Sequence, residues 1–429
     1  MNMRLFNWIA LGTMAVLSLH SSTADAIFAS VKSTGMAATA ISHPIDSLAG
    51  AYNPAGMLTV GDRVDLEAGW VRSDARTTIV GNAIPELNQS YHATKYKNAF
   101  PVSGGLNKVW SFGCDCDWEV STGFVAYDRH YQKTSYYKVL PLLGTSKPGL
   151  EYLHATAAPV VAVRWRQSHT LGLSVNYNLQ RIKFNGLQNF AQEGALQRSL
   201  EPHHVTNRGY DYTSGWGVTL GYFGQWTDNL SVGLTYQPKT SMSRMKKYDG
   251  VLANHGRLDI PQKIGAGIAY TFINCVTAAF DFEYIEWSQI KALHNPFFRD
   301  GIPVPLGSNE GPGFGFRDQM FYRLGVEWEI NPCWTVRAGY RYANTPTRRS
   351  QTAVNLLLID LVESFATLGA TWNVTECQEI SIAGAYGFEH KVKGKDSLTP
   401  ELPPEGFGGG NVNLKEQKFA LGLAWALKF

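Results

Sequence analysis

The sequence predicts an all-β protein: a transmembrane antiparallel β-barrel of about fourteen strands, with an N-terminal plug of short helices in its lumen. Three observations lead there. The chain opens with an export signal, its body alternates apolar and polar residues at period two, and its segments are joined in turn by short turns and long loops.

The opening MNMRLFNWIALGTMAVLSLHSSTADA has a basic Arg4, an apolar stretch from Leu5 to Leu19 and an Ala24-Asp25-Ala26 exit. Residues 1–26 therefore read as a secretory signal peptide, because the apolar stretch is too short for a membrane span and ends in small polar residues. The mature chain is expected to begin near Ile27. Beyond it no apolar run is long enough to cross a bilayer as a helix, and the mean hydropathy is −0.17. Such a chain with 42 Gly and 12% aromatic residues is unusual for a secreted soluble enzyme, and its net charge of +3 gives no pointer to nucleic acid.

In TLGLSVNYNLQ, Leu171, Leu173, Val175, Tyr177 and Leu179 share one face of a strand, and Gly172, Ser174, Asn176, Asn178 and Gln180 the other. LSVGLTYQ, FYRLGVEWEI and KFALGLAWALKF repeat the pattern. Alternation alone does not say which face is inside; connection lengths do. Short turns fall at 167–169, 227–229, 272–275, 331–333 and 374–378, and long loops near 74–97, 129–153, 183–213, 241–256, 291–316, 346–360 and 392–414. An even number of strands with short turns at one end and long loops at the other is the pattern of an outer-membrane barrel, apolar face to lipid. Residues 61–429 are assigned to it, with membrane lipid and lipopolysaccharide as surroundings. The terminal Phe429, on the apolar face of the last strand, fits a signal to the outer-membrane assembly machinery.

Residues 27–60 do not alternate. IFASVKSTGMAATAISHPIDSLAGAYNPAGM is rich in Ala, Gly and Ser, nearly free of charge, and too short to hold a core of its own. A barrel of about fourteen strands has a lumen wider than its own side chains fill. The segment is expected to fill it as a hatch, with Pro54 forcing a turn whose Asn53 side chain bonds nearby backbone.

The order and spacing of several motifs resemble one family. They are Asp46-Ser47-Leu48 with Asn53-Pro54-Ala55-Gly56, then LDIPQKIGAGIAY, DFEYIEWSQI, and the segment from Arg317-Asp318 to WTVRAGYRYANTP. Over nearly the whole mature chain this is similar to the FadL-type outer-membrane transporters of long-chain fatty acids and other hydrophobic compounds. The resemblance implies a fourteen-stranded barrel closed by an N-terminal hatch, an apolar capture groove between extracellular loops, and a lateral exit at a kinked third strand. Asn53, Pro54, Ala55 and Gly56 would form the hatch turn. Gly123, in WEVSTGFVAYD, is the natural kink point, matched by order along the chain.

Reaction chemistry is not visible. His43, His154, His203 and His204 lack partners at metal-ligand spacing, and no nucleophile motif is present. No metal or other cofactor is expected, and no catalytic residue. Asp281, Glu283 and Glu286 read as a wet lumen wall facing Arg323, Arg337 and Arg341 rather than as a carboxylate pair. The loop KFNGLQNFAQEGALQRSLEP places Leu187, Phe190 and Ala191 at helical spacing, followed by Leu196 and Leu200. An exposed apolar helix face needs cover. It is expected to pack on a neighbouring loop and to form half of the groove, through Phe184, Leu187, Phe190, Leu196 and Leu200, with Phe297 and Phe298 as the facing wall. Arg181 and Lys183 are the candidate cations for a carboxylate head group.

All five cysteines, Cys114, Cys116, Cys275, Cys333 and Cys377, fall in short turns at the periplasmic rim. An oxidising periplasm predicts a rim disulfide, internal or to another envelope protein. The reading is an outer-membrane transporter that takes up hydrophobic small molecules, most readily long-chain fatty acids. A porin for hydrophilic solutes has no use for an apolar hatch, a structural or adhesive protein has no role for one, and an outer-membrane lipase would need a Ser/His/acid set.

Overall fold

The computed structural model describes residues 24–25, 29–112, 118–165, 168–273, 275–297, 304–403 and 405–429. Most of the expected signal peptide, Cys114, Cys116 and Phe298 lie outside the described residues, and Leu196 is described in its backbone only.

Among the described residues fourteen long strands form the wall. They are β1 (Arg63–Val80), β2 (Val102–Phe112), β3 (Trp118–Ser135), β4 (Gly149–Trp165), β5 (His169–Asn185), β6 (Asp211–Thr227), β7 (Leu230–Gln237), β8 (Lys263–Phe272), β9 (Val276–Ile285), β10 (Gln319–Asn331), β11 (Trp334–Ala343), β12 (Ser364–Asn373), β13 (Gln378–Val392) and β14 (Asn411–Lys428). Each pairs antiparallel with its chain neighbours, and β14 closes on β1 from Asn411 opposite Val80 to Lys428 opposite Arg63. Closure pairs the strands all round except where β3 runs on past Tyr127 beyond the end of β2, so backbone groups at membrane depth bond one another instead of absent water.

The alternation sorts as a membrane demands. Leu66, Leu171, Leu173, Leu220, Ile268 and Leu423 point outward and are exposed, whereas Asp65, Asp281, Arg323, Glu327 and Arg337 point inward and are buried. Trp334 and Trp372 stack face to face near the short-turn end, 6.0 Å apart, as part of an interfacial girdle. The polar side chains are inward because the lumen is not empty: residues 29–60 lie in it, folded as a short helix at Val31–Gly35 and 3₁₀ turns at Ser47–Ala51 and Pro54–Thr59.

At the other end the long connections are not loose. Leu87, Leu143, Phe190, Tyr248, Phe314, Leu356 and Phe407, from seven different loops, belong to one buried cluster that caps the barrel. The expected helix in the loop after β5 does not form. Single 3₁₀ turns stand at Gln188–Phe190, Gly194–Leu196 and Pro202–His204, because Gly186 and Gly194 take positive φ and Pro202 removes an N–H. Leu200 is exposed there.

Cys275, Cys333 and Cys377 are free thiols in three successive short turns. Turns of successive hairpins are two strands apart, about 10 Å, beyond the reach of a disulfide. An internal bridge between neighbours among these three is thereby corrected.

Candidate functional site

The hatch is tied to the wall by buried polar contacts. Asn53 is the hinge of the turn: its Oδ1 accepts from Ala55 N, while its Nδ2 donates to the carbonyls of Ile41 and of Tyr222 on β6. One amide thus fixes the turn, the preceding hatch segment and the barrel. Asp281 on β9 accepts from the backbone of Ala40 and Ile41 at 2.8 and 2.9 Å, and Glu67 on β1 from Val31 N at 2.6 Å. Asp65 accepts from Ser47 and is itself held by Arg63, while Lys32 pairs with Glu379 and His43 meets Glu327. Hydrogen bonds to charged groups contribute about 1.5–3 kcal/mol each.

Between these anchors, backbone lies against backbone. A Cβ on Gly233 would stand 2.0 Å from the Ile41 carbonyl oxygen, on Gly172 2.2 Å from Ala55 N, and on Gly339 2.5 Å from the Met36 carbonyl carbon. These glycines come in cross-strand pairs: Gly172 opposite Gly221, Gly233 opposite Gly267, Gly325 opposite Gly339. Sequence reasoning missed this seat, although glycine recurring on the polar face of adjacent strands was its signal.

Two cavities lie above the hatch. The outer one, with about 730 Å³ of empty space, has a wholly apolar lining that brings together Phe184, Leu187, Phe190 and Phe297, with Leu356 and Phe407 opposite. Phe190 meets Phe297 edge-on at 6.0 Å and Phe407 at 6.1 Å. The inner cavity, with about 1490 Å³, shares Leu252 and Phe314 with the outer one and ends on the hatch at Ala38, Ala51 and Tyr52. Its upper wall is mainly apolar, through Leu150, Ile260, Leu293 and Phe316, with Asp259 and Asp360 held by Lys239 and Lys418; its lower wall carries Arg129, His154, Lys263, Glu283, Arg323 and Arg341.

The cations of the site are therefore not the expected ones. Arg181 bonds Glu151 at 2.7 Å and stacks on Tyr210, Lys183 stands over the same ring, and neither lines either of these two cavities. Burial beside Glu151 pushes the Tyr210 phenol up to about 12, so that rim cluster holds neutral tyrosine. Arg198 stacks on Phe190 and Phe407 at the outer cavity. Among the inner cations, Arg323 stands at the centre of a buried charge cluster. It donates to Glu283 at 3.1 Å, and Lys263 shares that carboxylate, but the buried Arg323 Nε and Nη1 have no hydrogen-bond partner.

Gly123 is not a kink. It pairs in register with Asn107 and Val160, and its missing side chain leaves room for Met57 of the hatch. The register shift in β3 falls between Asp128 and His130, and pairing with β2 stops at Tyr127. Tyr127, Arg129 and His130 all line the inner cavity, so that cavity reaches the stretch of β3 that β2 leaves uncovered, where His130 and Tyr131 pair instead with Asp25 and Ala24 of the expected signal peptide. No group of acidic, His or Cys side chains able to hold a metal occurs among the described residues.

A plugged barrel with stacked apolar cavities invites comparison, and residues 24–426 match the family described as outer membrane protein transport protein (OMPP1/FadL/TodX). The chain belongs to this family. It is accordingly an outer-membrane transport protein for hydrophobic compounds. No curated protein sequence matches it. Among solved structures, a Pseudomonas aeruginosa FadL homologue is similar with a TM-score of 0.68 at 15% identity, over 95% of this chain and 98% of that one. The P. putida toluene transporter TodX gives 0.62 at 16%, over 92% and 97%, and the Ralstonia pickettii toluene transporter TbuX 0.61 at 17%, over 92% and 97%. At such identities the likeness extends to the fold.

Proposed function

We propose that this FadL/TodX-family barrel takes up long-chain fatty acids by passive, binding-driven transfer. The cargo is first held in the apolar cavity around Phe190 and Phe297. It then passes Leu252 and Phe314 into the inner cavity, its carboxylate towards the lower wall and its chain against the apolar upper wall. It leaves sideways beside residues 128–134 of β3, where β2 pairing has ended. The observation that carries the acid rather than a neutral hydrocarbon is Arg323: a buried guanidinium with two unpartnered nitrogens is costly unless an acceptor, best an anion, completes it.

The second reading is a monoaromatic hydrocarbon, favoured by the outer cavity, which has no charged lining residue, and by the toluene transporters of like fold. Replacing Arg323 separates the two. Arg323→Met removes the head-group contact together with the Arg323–Glu283 bond, and leaves Glu283 paired with Lys263. The variant is expected to bind a long-chain fatty acid at least ~10-fold more weakly, from the loss of one or more charge-assisted hydrogen bonds. Its affinity for the methyl ester of the same acid should stay within about twofold. Titration of the purified protein with both compounds measures this. Equal affinity of wild type for acid and ester, or of wild type and variant for the acid, points to the neutral cargo.

A further inference from the structure

The outer wall carries a feature that transport through the lumen does not use. Across β13, β14, β1 and the short strand Ser90–His92, one row of directly opposed residues reads Lys391, Lys415, Arg76, His92. Lys391, Arg76 and His92 are exposed, and all four project from the outward face. Lys391, Lys415 and Arg76 stand side by side on strands about 5 Å apart and repel one another, and like charges opposed across strands destabilise a sheet.

The neighbourhood neutralises them only in part. Lys415 pairs with Glu389, and Asp74, one step lower, is taken by Lys97. Lys391 also lines an open basin with Arg348, Arg349, Lys393 and Lys395, in which the acids are Glu363, at 3.5 Å from His390, and Asp396. The whole chain has 38 Lys and Arg against 35 Asp and Glu, so this excess is local.

Height decides what the row faces. On β14 the outward residues from Leu427 to Phe419 are apolar and Lys415 follows two outward positions later; on β1 the apolar series ends at Trp70, below Arg76. Trp70 packs edge-on against Phe419 at 5.7 Å, marking the top of the apolar band on the long-loop side. The cations thus stand at the head-group level of the outer leaflet, with apolar and aromatic wall directly beneath.

From this placement we infer that β13, β14 and β1 form a binding site for the bisphosphorylated lipid A head group of lipopolysaccharide. Its phosphates lie along Lys391, Lys415 and Arg76 and in the basin beside them, and its acyl chains lie on Tyr386, Phe388 and Phe419. The anion relieves the repulsion within the row, and the double phosphate matches cations spread over neighbouring strands.

The test is titration of the purified full-length protein, in non-ionic detergent, with deep-rough lipopolysaccharide, the bound lipid being counted by native mass spectrometry. Wild type is expected to saturate. The triple variant Arg76→Ala, Lys391→Ala, Lys415→Ala is expected to bind on the order of a hundredfold more weakly, at about a factor of five per cation. A control triple at other exposed loop lysines, Lys138→Ala, Lys147→Ala and Lys246→Ala, should bind as wild type. If the row triple does not fold, Lys391→Gln alone should still weaken binding about fivefold. Wild-type affinity in the row variant, or an equal loss in the control, overturns the site. Displacement of the lipid by equimolar phosphatidylglycerol or inorganic phosphate also overturns it, in favour of a non-selective anion patch.

Discussion

Deleting residues 27–57 is expected to turn a barrel that scarcely conducts into an open pore. The wall contributes glycines along the hatch seat and charged side chains that bond the hatch, and the segment from Ala29 to Met57 occupies the space between them. A closed fourteen-stranded wall without that filling lies between packed small barrels and open porins. The strands keep their own backbone bonds, so the deletion variant should still fold and insert. Single-channel recording in planar bilayers would then show large, steady openings that wild type lacks. Conductance at the wild-type level from a folded deletion variant would mean that another element closes the lumen.

Gly233→Val and Gly339→Val should unseat the hatch without shortening it. At Gly233 the first added carbon already falls 2.0 Å from the Ile41 carbonyl oxygen, and at Gly339 it falls 2.5 Å from the Met36 carbonyl carbon and 2.6 Å from Ala37 N. These neighbours are backbone and cannot swing away as a side chain would. Moving them strips Asp281 of its two hatch N–H groups and Asn53 of its Ile41 acceptor, which leaves buried polar atoms unpaired at about 1–3 kcal/mol each. Each variant is expected to conduct intermittently, at a level between wild type and the deletion, and to expose the hatch to protease added on the short-turn side. Channels as silent and protease-resistant as wild type would show that the hatch is not seated on these glycines.

Much of this was legible before the structure, for a physical reason. A barrel wall between lipid and lumen must alternate, so Leu171 to Gln180 declared its two faces, and the lumen filler declared itself by not alternating. Asn53 was legible as a turn residue because its side chain bonds locally. Its second role, gripping Ile41 and Tyr222 with the other end of the amide, is a long-range contact that no local pattern carries. The same holds for Arg323 and Asp281: on an alternating strand they look like any wet-wall residue, and only the register of β9 against β10 and the path of the hatch set them apart. Phe184, Leu187, Phe190 and Phe297 share a cavity, but the helix used to choose the loop residues does not exist. Arg181 seemed the natural head-group cation from its position at a strand end, and the structure commits it to Glu151.

On the proposed route an acid-headed lipid lies in the lumen with its head towards the hatch and its tail towards the loops. Crystals of the protein soaked with an ω-brominated long-chain fatty acid test it most directly, because anomalous scattering locates the bromine independently of any assumed pose. The expected result is a bromine peak on the apolar upper side, towards Leu252 and Phe314, with the carboxylate within hydrogen-bond distance of Arg323. A bromine beside Arg323 with the carboxylate among the loops, or a lumen without bromine while the compound is bound elsewhere, would contradict it.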